Sequence, residues 1–345
     1  MSKSFSRNSL SVILIAFTAV ALTGCGIAKP APGKHAKRTG DEIVVAGQFF
    51  HTGTPVVLWM DPDGYDAYRI EKRFVPYDKS LWEVTKEEVD SPNRYSLRYK
   101  GDHFPPEVVE KIKGGGWPLD LLQDTVDQFV IHYDVCGTSK QCFNILHDHR
   151  TLSVHFMLDV DGTVYQTLDL KERAWHAGIA NNRSVGIEIA NMGAYPADKL
   201  GTLHKWYKTH EDGTVELTIP ESRGDGGVLT PEFKSGPIRP DLIVGTINGS
   251  ELHQYDLTPE QYKALVKLTA ALTEIFPKMK LDYPRDEHGD HIPGVLTEEQ
   301  FAEFQGLIGH YHVTKRKTDP GPAFQWDYLI EEVEKEHAGW RFWRR

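Results

Sequence analysis

The chain has 345 residues, 40% hydrophobic and 26% charged, which places it with ordinary globular proteins and excludes a disordered or collagen-like polymer. Lys and Arg total 39 against 49 Asp and Glu, and a net charge of −10 argues against the basic face that a nucleic-acid partner requires. The length suggests two domains or one enlarged by insertions, and three cysteines leave room for one disulfide and a spare thiol.

Lys3 and Arg7 precede a mostly apolar run from Leu10 to Leu22, and small residues lead to Cys25. Residues 1–24 therefore read as a signal peptide, too short in its apolar run to span a bilayer. Leu22-Thr23-Gly24-Cys25 resembles the lipobox of bacterial lipoproteins, which implies lipidation of Cys25 and anchoring to a membrane. Gly26 follows where Asp would resemble an inner-membrane retention signal, so the expected location is the outer membrane, facing the periplasm. Residues 25–40 lack large apolar side chains and read as a tether.

Residues 41–120 carry short apolar runs such as Ile43-Val44-Val45 and Val56-Val57-Leu58, separated by turn formers, and read as a β-rich extension without a catalytic signature. Gly114-Gly115-Gly116 reads as a hinge, since no Lys-Ser/Thr follows in phosphate-loop spacing. Residues 121–335 alternate strand and helix signals and imply an α/β domain. Phe129–Tyr133 and Val185–Ile189 read as strands, Cys142–His149 as a short helix, and Val154–Val160 as a strand turning at Asp161-Gly162 into Thr163-Val164-Tyr165. Insertions are expected near 194–256 and 281–297, the first walling one side of a groove. Thr258-Pro259-Glu260-Gln261 caps a helix whose buried stripe is Tyr262, Leu265, Leu268, Leu272 and Ile275, ended by Pro277. A second capping box, Thr297 to Gln300, opens a helix with Phe301, Phe304 and Leu307 on its apolar side. Residues 336–345 read as a basic aromatic tail.

Sixteen histidines demand selection by context. His132 sits in an apolar strand, and Glu188 is a lone carboxylate in Gly-Ile-Glu-Ile-Ala, so each needs a partner or a cleft. His310 and His312 lie two apart in a stretch that reads as extended, which would put both on one face, and Asp319 follows. Two His and one carboxylate leave a fourth tetrahedral position for water, the catalytic arrangement for zinc. His147-Asp148-His149 reads as a solvated face, and His288-Gly289-Asp290-His291 as a surface loop.

Val130-Ile131-His132, Ser153-Val154-His155-Phe156, Trp175-His176-Ala177-Gly178, Ser184-Val185-Gly186-Ile187-Glu188 and Gly309-His310 with Lys317-Thr318-Asp319-Pro320-Gly321-Pro322 together resemble a known family. It is the zinc-dependent N-acetylmuramoyl-L-alanine amidases, the type that includes phage lysozyme-like amidases and peptidoglycan recognition proteins. The resemblance implies a mixed central sheet flanked by helices and hydrolysis of the amide between N-acetylmuramic acid and L-alanine in peptidoglycan or its muropeptides. It makes His132, His310 and Asp319 the zinc ligands, with His310 preferred over His312 because it follows Gly309 as in the family. Glu188 becomes the general base and Lys317 the stabiliser of the oxyanion, while His155, Trp175 and His176 line the substrate groove. Cys136 and Cys142 resemble the small disulfide of peptidoglycan recognition proteins. The rival expectation is a peptidoglycan-binding lipoprotein without catalysis, and the full ligand set speaks against it.

Overall fold

The computed structural model describes residues 37–88, 94–98 and 104–343. The expected signal peptide, Cys25 and most of the tether lie outside them, as do Arg344 and Arg345. The strands are β1 (Glu42–Val45), β2 (Gln48–His51), β3 (Val56–Leu58), β4 (Tyr95–Leu97), β5 (Gln128–Tyr133), β6 (Phe156–Leu158), β7 (Val164–Gln166), β8 (Glu172–Ala174), β9 (Ser184–Ile189), β10 (Tyr207–Thr209), β11 (Val215–Leu217), β12 (Ile243–Ile247), β13 (Ser250–Gln254) and β14 (Gly306–Gly309). The helices are α1 (Tyr77–Ser80), α2 (Trp82–Thr85), α3 (Pro106–Lys113), α4 (Leu119–Thr125), α5 (Ser139–Phe143), α6 (Gly201–Trp206), α7 (Pro259–Ile275), α8 (Glu298–Glu303), α9 (His310–Val313) and α10 (Trp326–Trp343).

The central sheet runs β14-β5-β9-β6-β7-β3 and is mixed, as the α/β reading requires. β14, β5, β9 and β6 are parallel, β6 and β7 form the antiparallel hairpin signalled by Asp161-Gly162, and β3 returns parallel to β7. β5 is buried along its whole length, which explains its near-continuous apolar run: an interior parallel strand is covered on both faces. The carboxyl ends of β5, β9 and β14 therefore finish side by side, the usual place for a site in such sheets.

α7 forms where its caps predict: the Thr258 hydroxyl accepts from Gln261 N while the Gln261 side chain accepts from Thr258 N. A cap of this kind contributes about 1 kcal/mol. The predicted stripe is buried in full, and α7 packs against α10 and β6. α8 begins at its predicted box but ends at Glu303, so Leu307 belongs to strand β14 and not to the helix.

The N-terminal segment holds four short strands but also α1 to α4. Ile43, Val44 and Val45 enter the same core as Phe129 and Leu265, and β3 closes one sheet edge. Gly115, at φ 79°, turns the chain between α3 and α4. The first insertion is not an open loop: β10–β11 and β12–β13 are hairpins, and Met192, Leu203, Trp206, Tyr207 and Tyr255 give it a small core. The aromatic tail continues α10 as far as Trp343, and the Trp340 indole donates to Glu336 one turn back. No described helix is long and apolar enough to cross a membrane.

Candidate active site

His132 is the fifth residue of β5, and its register partner on β9 is Glu188. β14 ends at Gly309, and the chain turns at once into α9. That turn corrects the expectation that His310 and His312 share an extended face, because residues two apart on a helix diverge. His310 points toward β5. His312 points away: its Nδ1 accepts from Gly309 N at 2.9 Å, and its Nε2 donates to Ile292 O at 2.8 Å.

One carboxylate oxygen draws the cluster together. Asp319 Oδ2 lies 2.8 Å from His132 Nδ1 and 3.0 Å from His310 Nδ1, and the two imidazole rings cross 4.5 Å apart. All three residues are buried. Burial pushes the Asp319 carboxyl up, yet the hydrogen bonds from the two histidines outweigh it and hold the group below the usual carboxylate range. Burial, with His310 nearby, drops His132 to about 4, so its ring is neutral at physiological pH. Two imidazoles and a carboxylate within 4.8 Å of one another form a donor set suited to a borderline divalent ion such as zinc.

A cleft of about 480 Å³ opens over this cluster. Glu188, half-buried, lines it opposite the histidines, and burial followed by the negative Asp319 raises its carboxyl well above the ordinary range. Lys317, Arg316 and Arg150 supply cations, and Ile145, Leu152 and Trp175 supply an apolar wall. Tyr133 supports the Lys317 loop through a 2.5 Å hydrogen bond between its hydroxyl and that of Thr318. Val135 stands exposed at the rim with φ 54°, a conformation that a β-branched residue adopts only under constraint.

Trp175 and His176 line the cleft. His176 Nδ1 is 3.0 Å from His132 Nε2, and its ring lies so close on β9 that a Cβ at Gly186 would fall 2.4 Å from it. His155 does not reach the groove, which corrects that expectation. It is fully buried behind His176, where its Nδ1 accepts from Gly186 N and the Arg98 guanidinium faces its Nε2.

Cys136 and Cys142 also differ from expectation: both are free, buried thiols beside the cleft. Asp134 Oδ1 accepts from the backbone N–H of Cys136 and Gly137 and fixes the Cys136 loop, while Cys142 belongs to α5. Their sulfurs lie within 4.8 Å of one another, and the neighbouring Cys136 thiol, with burial, raises the Cys142 thiol.

His147 and Asp148 are buried, not solvated. They sit on a π-helical turn, Asn144–His149, where Arg150 N reaches back to Ile145 O, and Asp148 accepts from Arg73 N and Phe74 N of the N-terminal segment. His291 turns inward from its loop and meets the Tyr311 hydroxyl at 2.8 Å. Among the described residues, none of 194–256 lines the cleft, so the first insertion is not its wall. Its hairpin tip braces the site from behind, with Asn248 Nδ2 donating to Lys317 O at 2.9 Å. Sequence reasoning missed Asp134, Arg150 and Arg98; of these only Asp134, two residues beyond His132, carried a positional signal.

Comparison with known proteins identifies the family. The profile described as N-acetylmuramoyl-L-alanine amidase matches residues 122–322, more than half of the chain. The 1,6-anhydro-N-acetylmuramyl-L-alanine amidase AmpD of Haemophilus influenzae is 21% identical over 248 residues, covering 70% of this chain and 86% of that protein. Among solved structures, a Se-Met AmpD derivative covers 70% of this chain and 90% of its own at 16% identity and a TM-score of 0.32. The amidase AmiD from E. coli, in complex with an anhydro-N-acetylmuramic acid peptide, covers 60% and 57% at 18% identity and a TM-score of 0.34. With the profile spanning β5 through the Asp319 loop, the chain belongs to the N-acetylmuramoyl-L-alanine amidase family and hydrolyses the amide between N-acetylmuramic acid and L-alanine.

Proposed function

We propose that the hydrolysis is zinc-dependent and that the enzyme acts from a lipid anchor at Cys25 in the outer membrane, facing the periplasm, on peptidoglycan or its muropeptides. The observation that carries the reading is the convergence of His132, His310 and Asp319 on one point beneath a cleft faced by Glu188 and Lys317. Those three residues would hold the ion. Bound there, zinc supplies Lewis-acid polarisation of a carbonyl and lowers the pKa of water at the site toward about 7.

Glu188 takes the proton of the attacking water and passes it to the departing L-alanine amine, a role that suits a carboxyl whose basicity its surroundings raise. Lys317 holds a positive charge where the carbonyl oxygen gains negative charge, and the Asn248 and Thr318 contacts keep its loop in place. Arg150 and Arg316 at the rim favour an acidic stem peptide. The Haemophilus influenzae relative, named for a 1,6-anhydro-N-acetylmuramyl-L-alanine substrate, supports muropeptide fragments as substrates.

Metal analysis of the purified protein, paired with mass spectrometry of muropeptide digests, tests the enzyme reading: one zinc per chain and release of free stem peptide are expected. Incorporation of labelled fatty acid, lost in Cys25→Ser, tests the anchor. His310→Ala is expected to abolish zinc binding. His312→Ala is expected to keep zinc and lose about 1–3 kcal/mol of stability, because it strands the buried Gly309 N–H and Ile292 carbonyl. Zinc content and thermal melting of the two variants separate the cases; the reverse pattern would make His312 the ligand.

A further inference from the structure

The amidase profile begins at residue 122, yet a residue well before it reaches the back of the site. β4 pairs antiparallel with β8, the strand that leads directly into Trp175-His176, and Arg98 follows β4. Its side chain is 2% exposed, and among the described residues no salt bridge joins it to a carboxylate. Backbone carbonyls solvate it instead. Nε donates to Leu170 O at 2.9 Å, and Nη1 donates to Ser184 O at 2.8 Å and more weakly to Asn181 O and Asn182 O at 3.3 and 3.4 Å. Nη2 faces His155 Nε2 at 2.9 Å.

These acceptors come from the two ends of one segment, residues 170–184, whose middle carries His176. Asn181 continues the linkage: its carbonyl is held by Arg98, and its side-chain oxygen accepts from His176 N and Ala177 N at 3.3 and 2.7 Å. His176 in turn occupies Nε2 of His132, which leaves Nδ1 as the nitrogen facing Asp319 and the cleft. A buried cation is costly and persists only where its donors are satisfied. A planar fork with five N–H groups can bridge carbonyls from separate turns of chain, whereas the compact ammonium of lysine cannot.

We propose that Arg98, supplied from outside the family's matched region, is a positioning residue of the hydrolytic site: it clamps both ends of the 170–184 segment and so holds His176 against His132. The consequence for metal affinity rests on the zinc reading above; the clamp itself does not.

The test uses Arg98→Lys and Arg98→Ala in the full chain, with three readouts. Amide hydrogen exchange on the metal-free protein should show faster exchange in 170–184 than in β5 or α7. Competition with a chromophoric chelator should show zinc affinity weakened about 10-fold, the low end of losses measured when groups that orient a ligand are removed. On a soluble muropeptide, kcat should fall with KM little changed, and millimolar guanidinium should restore part of the kcat of Arg98→Ala. Unchanged exchange in 170–184 and unchanged zinc affinity in a folded Arg98→Lys chain would overturn the proposal. So would loss of protection spread evenly over the whole chain in both variants, which would make Arg98 a general stabiliser. A wild-type chain that binds no zinc would remove the zinc reading, while exchange in the metal-free protein would still decide the clamp.

Discussion

Asp319→Ala is expected to lower zinc affinity by more than about 10²-fold and to remove measurable turnover. Loss of a group that merely orients a ligand costs about 10- to 100-fold, so loss of a direct donor must exceed that. In the metal-free protein the same Asp319 Oδ2 is also the shared partner of His132 Nδ1 and His310 Nδ1 in a buried cluster, so stability falls as well. Without it, two ring nitrogens lose their acceptor, at a cost of about 1–3 kcal/mol for each buried group left unpaired. Asp319→Asn separates the two effects, since it keeps the shape but lacks the charge that a divalent ion requires. Metal content after dialysis and melting temperature with and without chelator read both outcomes. Zinc near one per chain in Asp319→Ala would remove this residue from the ligand set.

Glu188→Gln is expected to keep zinc at the wild-type level and to cut kcat by about 10² to 10⁴, the usual contribution of a positioned acid–base group. Glu188 sits across the β5–β9 pair from His132, not within the three-donor cluster, so removing its charge leaves the ion's site intact. Gln preserves volume and hydrogen bonding, which ties any loss to proton transfer. Single-turnover digestion of a muropeptide together with metal analysis checks this. A variant that loses its zinc along with its activity would show that Glu188 serves the metal rather than the proton.

The legible parts of the fold were those governed by local chemistry. The Asp161-Gly162 hairpin, the capping boxes at Thr258 and Thr297 and the stripe from Tyr262 to Ile275 each depend on residues close in sequence, and each lies where expected. Two of the misread parts, His155 and the His147-Asp148 pair, depended on partners far away. His155 belongs by its neighbours to a groove motif, but Glu172 O and Gly186 N, 17 and 31 residues later, take its two ring nitrogens and hold it inside. His147 and Asp148 looked solvated because nothing nearby in sequence announces that Arg73 and Phe74 dock on them. His310 and His312 were misaligned by one local event, the immediate turn of the chain into α9 after Gly309. The cysteine pairing came only from the resemblance, and Cys136 and Cys142 are free thiols here.

His132 and Asp319 stand 187 residues apart, and β14, which brings the second half of the cluster to the first, pairs with β5 at one edge of the sheet. Such distant parallel pairing is slow to form, because the entropy of closing the loop must be met before the contact returns anything. A chain emerging from a ribosome or a translocation pore therefore has no assembled cluster until Gly306–Gly309 has arrived and docked. An ion that needs donors from both halves binds only after the sheet is complete, and its affinity is added to the stability of the finished fold alone. On the ligand set proposed above, activity is in this way withheld until assembly ends: a nascent chain that has not reached β14 also lacks His310 and Asp319.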